Sequence, residues 1–91
     1  MNEYAFEMTT TEVKDLSVHV TNLQEGETFE AVVTHIPPSG DPIDVEHDID
    51  GEYINLLFGP VGVVGQHYLK VQADKSLGAK PETLFTILVK I

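Results

Sequence analysis

Ninety-one residues are enough for one domain, which at this size buries only ~60–65% of the surface its unfolded chain exposes, so the core is thin. Fifteen acids against five lysines, with no arginine, give a formal charge of −10. That field repels phosphate backbones and anionic headgroups, and it excludes nucleic acid and membrane surfaces as natural partners. With no cysteine in the chain, a disulfide framework, a thiolate metal site and a cysteine nucleophile are excluded as well.

The opening MNEYAFEMTT has neither a basic n-region nor an apolar h-region, and no stretch approaches the 18 apolar residues of a spanning helix. A chain starting on its own methionine in this way is expected to be made in the cytoplasm without export. From there the governing period is two. A first strand is expected near YAFEM, with residues 1–12 serving as an N-terminal arm or extra strand. In LSVHV, Leu16, Val18 and Val20 share a side; in ETFEAVVTHI, Phe29, Ala31, Val33 and His35 oppose Thr28, Glu30, Val32 and Thr34. TNLQEGE supplies the turn between them, and PPSGDP ends the second ladder because its prolines and glycine cannot continue one. PIDVEHDI, a turn at Asp50-Gly51, YINLLF, an irregular GPVGVVG, HYLKVQA, the loop DKSLGAKPE and TLFTILVKI complete the chain. The fold class predicted is all-β: a single domain over residues 1–91, built as a two-layer antiparallel sandwich of about seven strands.

The nine residues DVEHDIDGE raise a separate question. Glu46, Asp48, Asp50 and Gly51 mimic the front of a calcium loop, but that motif needs an acid at its twelfth position, which here is Leu57, and neither flank is helical. The alternation of Ile43, Val45, His47 and Ile49 with Asp44, Glu46, Asp48 and Asp50 predicts instead one half-buried strand with a wet acidic face. Such a face discourages edge-to-edge pairing, or meets a basic partner. A calcium site at the turn, using Asp48, Asp50 and Glu52, is the secondary alternative; no other metal and no cofactor is expected. His35 and His47 fall in step with apolar neighbours and are expected to point inward or lie at the boundary with a backbone partner. His19 falls on the opposite side of its strand, and His67 opens one. No His-x-His spacing marks a ligand pair.

Catalysis is poorly served. None of Ser17, Ser39 and Ser76 lies in a G-x-S-x-G elbow, and a small sandwich offers little cleft to raise one carboxyl selectively, so no catalytic residue is assigned and the chain is read as not an enzyme. The glycines of FGPVGVVGQHY are followed by a strand and not by a helix, so they do not form a phosphate loop. This loop is instead apolar, with Val61, Val63 and Val64 either folded over the core or exposed for contact. Leu57, Leu84 and Leu88 fall opposite the apolar rows of their strands. Together with Val61, Val63 and Val64 they are the candidate interface: clustered on one outer face, they would form a docking surface for a protein partner or for a second copy of the chain.

The stretches SVHVTNLQEGETFEAVV and GQHYLKVQAD, followed by a closing strand, resemble the immunoglobulin-like sandwich modules of bacterial and bacteriophage surface proteins. In those modules a G-x-Y-x-L-x-V stretch forms a late core strand. Gly65, Tyr68, Leu69 and Val71 stand in that place, with one extra residue between glycine and tyrosine, and the resemblance runs over residues 13 to 91. It implies a non-enzymatic structural or binding module of the branch without the cysteine–tryptophan core. The corresponding expectation is a virion component made in the host cytoplasm, either a capsid decoration or cement protein or a tail or head-junction protein, partnered by a capsid or tail protein. The alternatives are a carbohydrate- or cell-surface-binding module of an adhesin on a bacterial surface, which the lack of tryptophan disfavours, and an acidic inhibitor or ligand mimic presenting residues 44 to 52.

Overall fold

In the computed structural model, which describes residues 2–91, the two-residue beat resolves into eight strands: β1 Asn2–Thr9, β2 Lys14–His19, β3 Phe29–Ile36, β4 Ile43–Asp44, β5 Asp48–Asp50, β6 Tyr53–Phe58, β7 Gly65–Lys75 and β8 Glu82–Lys90. They form two packed sheets, one of five strands in the order β1-β8-β7-β3-β4 and one of three in the order β2-β6-β5. No helix forms among the described residues, and none is long and apolar enough to cross a membrane.

One pairing departs from the antiparallel arrangement expected. β1 runs parallel to β8, in register from Asn2 opposite Thr83 to Thr9 opposite Lys90, while every other pairing is antiparallel. Parallel neighbours cannot be joined by a hairpin. Here almost the whole chain intervenes between them, so the N-terminal segment becomes the edge of the sheet that the C-terminal strand has already extended.

The interior is made by alternate residues. β6 contributes Ile54, Leu56 and Phe58, β7 His67, Leu69, Val71 and Ala73, and β8 Thr83, Phe85, Ile87 and Val89, all buried. From β2, Leu16 and Val18 pack against the same cluster, as do Phe29 and Ala31 of β3. Each fully buried aliphatic side chain such as Leu69 or Ile87 stabilises the fold by about 1.5–3 kcal/mol. At the rim the pattern weakens: on β1 only Met8 is buried, and the exposed Tyr4 lies over Phe85 with ring centroids 5.6 Å apart.

PIDVEHDI is not one strand but two. Ile43 and Asp44 pair with His35 and Thr34 in the larger sheet, and the Val45 N–H still donates to the Val33 carbonyl. By Asp48 the chain has crossed to the smaller sheet, where it pairs with Asn55. The predicted buried row is thus broken: Val45 and His47, at the crossing, are half-buried, whereas Ile43 and Ile49 remain 51% and 45% exposed. A segment passing over the open side of a sandwich has an inner face only where it bridges the two layers. The acids are divided accordingly, Asp44 on one sheet and Asp48 and Asp50 on the other.

The β6–β7 loop is fitted to the β1–β2 turn at Gly59. Its φ is +109°, and a methyl group there would overlap the backbone carbonyl oxygen of Glu12. Gly26 also has a positive φ, but open space lies around it. Gly59→Ala is therefore expected to cost about 2–3 kcal/mol or more, combining conformational strain with backbone overlap, against about 1–2 kcal/mol for Gly26→Ala. Urea unfolding of the two variants measures the difference; equal losses would mean that the Glu12 contact yields freely.

Candidate functional site

The six residues expected to form one interface are distributed over three places. On β8 the buried row Thr83, Phe85, Ile87, Val89 turns Leu84, Thr86, Leu88 and Lys90 outward, so Leu84 is half-buried and Leu88 is 40% exposed on the outer face of the five-stranded sheet. On β6 the same logic turns Leu57 outward, 63% exposed, but from the three-stranded sheet. Leu57 therefore lies on the opposite flank of the sandwich and does not cluster with Leu84 and Leu88. Val61 belongs to the buried core, while Val63 and Val64 are exposed. The apolar loop thus divides between the two roles weighed for it: one valine closes the end of the core and two face solvent.

Leu84 and Leu88 do have apolar company. Tyr68 of β7 lies directly opposite Thr86, which makes it the diagonal neighbour of both leucines. Ile36 of β3 is opposite Tyr68 in turn. The Gln66 amide donates to the Tyr68 hydroxyl at 2.9 Å and holds that ring on the outer face. Because Gly65 pairs with Val89, the loop carrying Val63 and Val64 emerges at the Leu88 end of this face.

Beneath the loop lies an arrangement that the sequence pattern did not reveal. His67, fully buried, shares the inner row of β7 with Leu69, and its Nε2 is 2.8 Å from the Val63 carbonyl oxygen. The carbonyl accepts, so Nε2 carries a proton and Nδ1 is left to accept from His35 Nε2, also at 2.8 Å. His35 meets the ring of Phe58 edge-on, with centroids 4.9 Å apart. A chain of two imidazoles thus ties β3 to β7 and β7 to the loop. His35 finds a second histidine and not the backbone partner expected for it, whereas the half-buried His47 lies 3.2 Å from a backbone oxygen, that of Val45. His19 stacks on Tyr53 on the exposed face of the smaller sheet. The signal available for the pair was the spacing His67, Leu69, Val71, Ala73, which puts His67 in the apolar row.

Asp48 and Asp50 point outward from β5, opposite Asn55 and Tyr53. Glu52, in the turn, lies 3.7 Å from His19 Nε2. No group of three acidic or histidine side chains arranged to hold a metal ion occurs among the described residues, so Asp48, Asp50 and Glu52 do not converge as a calcium site requires.

No protein-family model and no curated protein matches the chain.

Burial, and then the neighbouring His67, hold the His35 imidazole below the ordinary histidine range. The unfolded chain takes up this proton near pH 6.5 while the folded chain resists it, so below that pH the unfolded state binds more protons and stability falls. This contribution is complete above about pH 6.5 and is lost progressively on acidification. The thermal midpoint is therefore expected to drop between pH 6.5 and pH 5 in the wild type. It should drop less in His35→Gln, which keeps an N–H for His67 but has no titratable ring. Parallel pH profiles for the two proteins would show that His35 is not the source.

Proposed function

We propose that the chain is a non-enzymatic docking module of the immunoglobulin-like kind, a structural component of a bacteriophage particle that attaches to a capsid or tail protein through the outer face of its five-stranded sheet. The strand arrangement supports the fold reading. The second, sixth and fifth strands form one sheet and the third, seventh and eighth form the centre of the other, which is the division between the two layers of such sandwiches. The first strand lies beside the last instead of beside the second.

The observation that carries the docking reading is the apolar band on a face that the fold leaves open. Tyr68 is the diagonal neighbour of both Leu84 and Leu88, and Val63 and Val64, about half-exposed at 55% and 48%, lie in the loop that enters β7 at the Leu88 end. Isolated exposed leucines are ordinary. A group of this kind on a rigid sheet, flanked by Glu3 and Glu7 of the first strand and by Gln66, Lys70 and Lys90, has the make-up of a protein contact, with an apolar centre and a polar margin. Its rigidity lowers the entropic cost of association.

Particles purified from the source are expected to contain the chain at a fixed stoichiometry. Leu88→Lys, which adds a charge at an exposed position, should reduce incorporation at least tenfold with an unchanged unfolding midpoint. Absence of the chain from particles, or equal incorporation of the variant, overturns the reading. Sedimentation of the isolated protein separates this from self-assembly, since a stable oligomer dissolved by the same substitution would make the partner a second copy.

A further inference from the structure

The opposite flank of the sandwich holds a different kind of opening. β5 covers β6 only from Tyr53 to Asn55, because its chain leaves at His47 to join the larger sheet. The Val20 N–H donates to the Glu52 carbonyl, and strict alternation along an antiparallel ladder then turns the main-chain groups of Ile54, Leu56 and Phe58 toward β2. Those of Tyr53, Asn55 and Leu57 are turned toward β5. Tyr53 and Asn55 meet Asp50 and Asp48 there. The position across from Leu57 would fall to Glu46, which has moved away with the crossing, so the Leu57 N–H and C=O face outward with no strand beside them.

They face a groove of about 730 Å³ whose walls include Asp15, Asp44, Glu46, Asp48 and Leu57 itself. None of these four carboxylates has an ion-pair partner among the described residues. Lys14, Lys70 and Lys90 are engaged by Glu12, Glu82 and Glu7, and the Lys75 ammonium donates to the Thr21 carbonyl. Lys80 lies in the β7–β8 loop, at the far end of the sheet from Gly65.

We propose that this groove takes an extended, lysine- or arginine-bearing segment of a partner protein, which adds as a short strand to the free edge of β6. The Leu57 N–H donates to a carbonyl of the segment, and the Leu57 carbonyl accepts from one of its N–H groups. Side chains on the outer side of the segment lie beside Leu57 and reach Asp15 and Asp48, which share that face, as strand addition to a sheet edge generally works. Charge selects the occupant. A second copy, itself at −10, would bring like charge to an acidic groove, whereas a basic segment supplies cations that the chain has committed elsewhere. The surface is separate from the apolar face of the larger sheet and does not depend on it.

The test uses the full chain and a fluorescent peptide of alternating lysine and valine, capped at both ends. A second version carries N-methyl groups on alternate amides, and binding is followed by anisotropy at low and moderate salt. The parent peptide is expected to bind and to weaken with salt; the methylated peptide, which cannot donate to the edge, should bind at least tenfold less tightly. Leu57→Pro removes the outward N–H without breaking a bond to β2, as proline on an edge allows, and should weaken the parent peptide by a similar factor. Should that variant fail to fold, slowed exchange of the wild-type Leu57 amide on peptide addition gives the same information. Absence of binding overturns the proposal. So does equal binding of both peptides by both proteins, which is adsorption by charge alone, and so does a dimer of the free protein that Leu57→Pro dissolves.

Discussion

Five strands must be roofed by three, and this inequality of width governs the molecule. A two-layer sandwich can bury only what both layers cover, so full burial falls on β6, β7 and β8, which lie under or over a partner sheet. The outer strands of the larger sheet overhang. That is why Tyr4 and Ile43, each in step with an apolar row, are more than half-exposed, and why β1 is held along its first half by backbone pairing and one ring stack more than by core packing. The crossing at Val45–His47 is the molecule's partial remedy. One segment begins in the wide sheet, carries Val45 against the core, and ends as the third strand of the narrow one.

The same inequality produces the two open surfaces. The overhanging sheet is long and rigid, and its outer side carries Leu84, Tyr68 and Leu88 with nothing to cover them. The narrow sheet loses its edge strand early because that strand is shared, which leaves β6 with an unpaired stretch at Leu57. A sandwich with two sheets of equal width and a continuous fourth strand would close the notch by continuing the β5 ladder past Asp48, across from Leu57.

Much of the fold was legible because alternation is a local property. Apart from PIDVEHDI, every strand read from the beat of two appears in the structure, and the inward assignments of Leu16, Val18, Phe29, Ala31 and Val33 follow from spacing alone. What alternation cannot carry is the identity of the sheet. Leu57 and Leu84 look alike in sequence, each apolar and out of step with its strand's inner row, yet they face opposite directions, because which sheet a strand joins depends on pairings dozens of residues away. PIDVEHDI was misread for a related reason: a strand that changes layers keeps its alternation in sequence while its surroundings change beneath it. The His35–His67 pair was missed because the two rings are 32 residues apart and meet only once β3 and β7 are neighbours.

Charge then distinguishes the surfaces that shape alone leaves equivalent. With so few cations, each lysine that pairs locally leaves another carboxylate without a counter-charge, and those left uncompensated include the carboxylates around the crossing. Their mutual repulsion makes the short strands β4 and β5 poor templates for another copy of the chain, which protects the most irregular edge of the sandwich from aggregation. The outer face of β7 and β8 is more balanced, since Lys70 and Lys90 pair with Glu82 and Glu7 and Glu3, opposite Leu84, is the acid beside the apolar band that has no ion pair among the described residues. A cationic partner therefore gains more by entering the notch than by settling on that face, where charge discriminates less. The two flanks are thus sorted by what they repel as much as by what they attract.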